Sequence, residues 1–274
     1  MKNPFEAQKQ VAIEAVAKAA SLCYQVQKEL VGSGKGHVKK QDRSPVTVAD
    51  YGSQAIICHI LKESFPNDII VAEENSSLLR LSENQPLLNS TAHYLEKAMK
   101  KKINNEQVFD WIDLGTGQPA DRFWTLDPID GTKGFLRGNQ YAVALGLIVN
   151  GNVELGLLAC PNLSYSSPGI KISDDFASGS LFVGIGGEGS SIMSLDGKQS
   201  RSLQVSGNHD PAEAHFIESY EPAHSDHQML QDILHYLHNK VTSTRMDSQA
   251  KYGLLAGGSV DVYLRLPSSK NSHY

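Results

Sequence analysis

Between residues 4 and 31 apolar side chains recur every three or four positions, at Val11, Ala15, Val16, Ala19, Leu22, Cys23, Val26 and Leu30. That spacing predicts one long amphipathic helix, ended by the glycines of GSGKG. SPVTVAD reads as a short extended piece leading into a second helix over about 50 to 64. DIIVAEE reads as a buried strand ending on two glutamates. Residues 75 to 120 are polar and irregular, with one helix expected around 91 to 101, so this stretch reads as a surface insertion or a lid. FWTLD returns to strand character. YAVALGLIVNGNVELGLLACPNL then predicts two strands joined at Asn150-Gly151, a strong hairpin signal. SLFVGIGGEGSSIMSL predicts another hairpin. HFIESY is a strand, 226 to 239 and 247 to 256 are helices, and VDVYLRLP is a last strand. Hairpins mixed with separate helices predict an α+β fold with antiparallel or mixed sheets. The chain divides into an N-terminal lobe over 1–165 and a C-terminal lobe over 166–274.

Composition narrows the function classes. The 274 residues carry a formal charge of −5 and a pI near 6.0, so no basic surface is offered to a nucleic-acid polymer. A small phosphorylated substrate remains compatible, because one pocket can be basic in an acidic protein. Cys23, Cys58 and Cys160 form no CxxC pair and no zinc spacing, which predicts buried free thiols in a reducing compartment. MKNPFEAQKQ lacks the apolar centre of a signal peptide, and no apolar run has the length of a membrane span. A cytoplasmic monomer is expected.

The candidate chemistry lies in acids at the ends of apolar or extended segments. Asp50 ends VTVAD, Glu73 and Glu74 end IIVAEE, Asp127 ends FWTLD, and Asp130 follows three residues later. Carboxylates at strand ends can converge on one point. Glu73, Asp127 and Asp130 would suit magnesium, a hard cation that takes oxygen ligands, while the turn between the aspartates offers a backbone carbonyl. Gly131 and Thr132 would present N–H groups to phosphate oxygens at a short helix start. Asp50 and the Thr132 hydroxyl would form a proton-handling pair. Two patterns are set aside. GIGGEG matches a dinucleotide fingerprint, but strand-like residues follow it where a helix is required. DPIDGT has Asp-x-x-Asp spacing, not the Asp-x-Asp of an aspartyl phosphatase nucleophile.

DPIDGT with the upstream VAEE resembles the lithium-sensitive, magnesium-dependent phosphatases of the inositol monophosphatase superfamily. WTLDPIDGTKGFLRGNQYAVALGLIVNG, SPVTVADYGSQA, ACPNL, DSQAKYGLLA and DVYLRLP together resemble its 3'(2'),5'-bisphosphate nucleotidase branch, in order from about residue 4 to 267. The resemblance implies a layered α/β/α/β/α sandwich and two or three magnesium ions. It implies hydrolysis of 3'-phosphoadenosine 5'-phosphate to AMP and phosphate, and extends to the sulfated analogue. Asp50 and Thr132 would activate water, and Glu73, Asp127, Asp130 and the Ile129 carbonyl would hold metal. Gly131, Thr132, His224, Ser248, Lys251 and Arg265 would contact the nucleotide bisphosphate. Two other readings follow from the same motifs: an inositol phosphate phosphatase, or an inactive nucleotide-binding relative. The latter is raised by the expectation that the sequence is truncated, since a Trp-Asp-x-Ala segment with a further metal ligand is expected after YLRLP, and neither Trp111 nor Trp124 precedes an aspartate.

Overall fold

The computed structural model describes residues 4–30, 37–39, 45–165, 175–222, 225–241 and 243–266. Helix α1 (Glu6–Leu30) buries Ala12, Ala15, Val16, Ala19, Leu22, Cys23 and Val26, the stripe that the periodicity predicts. A short antiparallel pair, β1 (His37–Lys39) and β2 (Pro45–Thr47), leads into α2 (Val48–Ser64). The two helices pack closely: a Cβ on Gly52 of α2 would lie 2.8 Å from a Leu22 methyl group.

Strand β3 (Ile69–Ala72) follows, and then the stretch expected to be irregular proves helical. It holds α3 (Gln85–Met99) and α4 (Asn105–Asp113), in place of the single helix expected at 91 to 101. The polar composition hid two amphipathic faces. Leu87, Leu88, Thr91, Tyr94 and Leu95 are buried on α3, and Val108, Phe109, Trp111 and Ile112 on α4. α4 also starts with a capping box, in which Asn104 accepts from the Gln107 N–H and the Gln107 side chain accepts from the Asn104 N–H.

Among the described residues the central sheet has seven strands. From one edge to the other they run β3, β4 (Arg122–Asp130), β5 (Ala142–Val149), β6 (Asn152–Ser164), β7 (Gly179–Ile185), β8 (Gly189–Ser194) and β9 (Ser200–Ser202). Among the described residues, only the β3–β4 pair of this sheet is parallel. The β5–β6 hairpin turns at Asn150 (φ 49°) and Gly151 (φ 79°), the left-handed pair that a two-residue hairpin requires. GIGGEG carries the end of β7, the turn and the start of β8, as the strand-like flanks predict. Strands β7 to β9 follow residue 165 yet stay in one sheet with β6, so this sheet spans both stretches into which the sequence divides.

The described residues after β9 build a parallel three-stranded sheet. Its centre is β10 (Phe216–Ser219), flanked by β11 (Thr244–Met246) and β12 (Val262–Tyr263), with α6 (His227–Tyr236) and α7 (Ala250–Ala256) beside it. Ile217, Met246, Ala250 and Leu254 share one apolar cluster with Ala142, Cys160 and Phe182 of the large sheet. α7 thus cements the two sheets together. Several boundaries differ from expectation, two of them near the C-terminal sheet. The last strand shrinks to Val262–Tyr263, and the helix expected from 247 begins at Ala250 because Ser248 sits at φ 66°, outside helical space.

Candidate active site

Helix α2 sets the ends of two strands. Asp50 lies in its first turn and is 3 % exposed. One residue-turn later, the Ser53 hydroxyl donates to the Pro128 carbonyl (3.0 Å), inside the DPID segment that ends β4. The Gln54 amide donates to the Glu74 carbonyl (2.6 Å) and accepts from the Glu74 N–H (2.9 Å), just past β3. Ser53 and Gln54 were not singled out in the sequence, although both stand in VADYGSQA. Their signal was two polar residues within the stretch Val48 to Cys58 of α2, which is buried throughout.

This arrangement brings Asp50, Glu73 and Asp130 within electrostatic range of Asp127. The Asp127 carboxyl is pushed up to about 8, first by burial and then by the charges of Asp130, Glu73 and Asp50, with a hydrogen bond from the Ile129 backbone opposing them. Asp130 is also raised, chiefly by burial, although the Gln249 N–H bonds its Oδ2 and Lys251 opposes the shift. Asp127 Oδ1 is buried with no hydrogen-bond partner. The β4–β5 register shifts between Asp127 and Asp130, so Pro128 and Ile129 break the ladder where the acids need to project.

Among the described residues, no group of three His, Cys, Asp or Glu side chains is already gathered at metal-binding distance. The acids nevertheless fit a cation. An orphaned buried carboxylate oxygen costs free energy, and like charges that raise one another's pKa are relieved by a divalent ion. Oxygen-only donors suit a hard cation such as magnesium.

The facing side comes from the start of α5 (Thr132–Leu136) and from the turn before α7. Gly131 (φ 86°) is the N-cap of α5, and Thr132 Oγ1 donates to the Ile129 carbonyl at 3.2 Å. The expected relay residue and the expected carbonyl ligand are therefore joined to each other. A cleft of about 610 Å³ collects Glu73, Asp130, Gly131, Thr132, Ser248, Lys251 and Arg265. Lys251 is buried, its Nζ donating to the carbonyls of Met246 (3.0 Å) and Ser248 (2.6 Å), and burial lowers its pKa. It braces the turn as well as facing the cleft. Asp127 opens instead on an apolar cavity of about 520 Å³ over the sheet, which shares Gln249 and Tyr252 with the cleft. His224 lies outside the described residues.

Gly131 is where backbone and packing both forbid a side chain. Its φ is left-handed, and a Cβ there would stand 2.8 Å from Ser248 Cβ. Gly131→Ala is expected to destabilise the fold by about 2 kcal/mol, read as a lower urea midpoint, with a larger loss of catalysis.

The model of the inositol monophosphatase family matches residues 4–272. The chain is 43 % identical to the 3'(2'),5'-bisphosphate nucleotidase 1 of Arabidopsis thaliana, over 96 % of its own length and 78 % of that protein's. It is 39 % identical to the 3'(2'),5'-bisphosphate nucleotidase of Schizosaccharomyces pombe, over 96 % of this chain and 78 % of that one. Among solved structures, CysQ from Bacteroides thetaiotaomicron, a bacterial member of the inositol monophosphatase family, superposes with a TM-score of 0.60 over 96 % of this chain and 80 % of its own. At 19 % identity that likeness concerns the fold alone.

Proposed function

This chain belongs to the inositol monophosphatase family, and from that premise we propose that it hydrolyses 3'-phosphoadenosine 5'-phosphate to AMP and phosphate. The family is generally magnesium-dependent. The observation that carries the reading to this site is the group of acids around Asp127, of which Glu73 and Asp130 line a cleft that also holds Ser248, Lys251 and Arg265. Glu73, Asp127, Asp130 and the Ile129 carbonyl are the residues that would hold two or three magnesium ions. Bound there, magnesium would make a water more acidic and neutralise charge on the phosphoryl group.

The protein's own residues supply the rest. Thr132 Oγ1 orients the attacking water and Asp50 takes up its proton. Gly131 and Thr132 present backbone N–H groups to the phosphate. Ser248 donates a hydrogen bond, while Lys251 and Arg265 meet anionic oxygens, with His224 assigned to the nucleotide from the sequence motif alone. A cytoplasmic monomer belongs to the same proposal; among the described residues no helix is long and apolar enough to cross a membrane.

Phosphate release from the nucleotide bisphosphate and from inositol monophosphate, in competition, tests the reading. Magnesium-dependent, lithium-inhibited release with preference for the nucleotide is expected. Preference for the inositol ester would assign the site to the family's other substrate class, and turnover indifferent to magnesium would refute the metal site.

A further inference from the structure

Arg137 stands outside every role assigned so far, yet it ties the two walls of the cleft together. It caps the C-terminus of α5, the helix that Thr132 begins. From there its guanidinium crosses to the other sheet, donating to Asp247 Oδ2 at 2.7 Å and to Glu221 Oε1 at 2.8 Å. Its planar face lies 4.6 Å over the ring of Tyr220. A forked cation with two acceptors and an aromatic face has little freedom to move.

What Arg137 holds is the turn that carries Ser248. Asp247 is 8 % exposed, and among the described residues Arg137 is the only side chain within ion-pair distance of it. Glu221 has a second cation in Lys133, at 3.1 Å. Asp247 raises the pKa of Asp130, so its negative charge is felt in the acid cluster. Lys251 also feels Asp247, but two of its donors are directed at the Met246 and Ser248 carbonyls. The close seating of this turn explains the second glycine of DGTKG. A Cβ on Gly134 would stand 2.8 Å from Asp247 Oδ2, as one on Gly131 would press on Ser248. Both glycines leave room for the same turn.

We propose that Arg137 is a positioning residue for substrate: by neutralising Asp247 it keeps the Asp247–Ser248 turn seated on α5 and open to an anionic ligand. This rests on the proposed function, because the ligand is taken to be a phosphorylated nucleotide. Without Arg137, a carboxylate next to Ser248 would face the incoming phosphate uncompensated, and like-charge repulsion acts on binding before it acts on the chemical step.

The test uses the full chain with Arg137→Gln, Asp247→Asn and the double variant. KM and kcat for 3'-phosphoadenosine 5'-phosphate are read beside calorimetric binding of AMP, which the proposed reaction does not consume. Arg137→Gln is expected to raise KM and the AMP dissociation constant about tenfold, with kcat changed about threefold or less. Adding Asp247→Asn should restore both constants to within about threefold of the parent, because the unpaired charge is gone. Unchanged constants in Arg137→Gln would overturn the inference, and so would a double variant that binds as poorly as the single one. A parent chain that ignores both ligands contradicts the proposed function and overturns the inference through it. A parent that binds them, with Arg137→Gln binding equally well, contradicts the inference alone.

Discussion

Asp127→Asn is expected to lower magnesium-dependent phosphate release by about 10³-fold or more while leaving the protein folded. The substitution keeps the shape of the side chain and removes its charge. A neutral amide cannot share in holding a divalent cation, so charge on the phosphoryl group goes unopposed. A merely structural aspartate would show the reverse pattern, since its loss would cost stability. Here the metal-free fold should gain stability from the change, because Asp127 lies beside Asp130, Glu73 and Asp50 with one buried oxygen unpartnered. Steady-state phosphate release and urea unfolding, measured on one preparation, separate the outcomes. Activity retained above about a tenth of the parent's, or lost together with the fold, would count against Asp127 as a metal-holding residue.

The second large effect is the pH dependence of the metal-free protein. In the folded chain the Asp127 carboxyl is raised to about 8 from an ordinary value of 3.8. Between those values the folded state holds a proton that the unfolded state releases. Stability is therefore fully present below about pH 4 and declines as pH rises towards 8. The shift corresponds to a loss on the order of 5 kcal/mol if Asp127 acts alone, and Asp130, raised in the same direction, adds to the slope. Urea unfolding in a chelator at pH 5, 6.5 and 8 should show falling stability. Asp127→Asn should flatten that fall, and magnesium at pH 8 should restore the parent, because a ligand bound only by the folded state stabilises it. Stability that rises with pH in the chelator would show that the acids do not oppose one another as the geometry requires.

The strands and the acid motif were legible in the sequence because both depend on short-range pattern. The Asn150-Gly151 hairpin needs only its own left-handed turn, and FWTLD announces a strand that carries Asp127 and runs on to Asp130. Less legible was whatever depends on distant partners. α3 and α4 were obscured by polar residues on their outer faces, and only the fold shows that Leu88, Leu95 and Ile112 are covered. The clamps from Ser53 to Pro128 and from Gln54 to Glu74 join residues 75 and 20 positions apart. The Arg137–Asp247 pair spans 110 positions. KGFLRG and DSQAKYG could be read as family motifs, but that they touch each other is a property of the folded chain. Ser248 illustrates the same limit: its left-handed backbone ends the expected helix early, and nothing local in DSQAK demands it.

The central claim is that the acids at the ends of β3 and β4 and the start of α2 form a magnesium site for hydrolysing a phosphate ester. The measurement closest to it is phosphate release from 3'-phosphoadenosine 5'-phosphate by the folded chain as magnesium is titrated in after chelation. Release that is absent in the chelator, rises with magnesium to saturation and disappears in Asp127→Asn is the predicted result. Release at the same rate in the chelator, or no release at any magnesium concentration from a chain that is demonstrably folded, would contradict it.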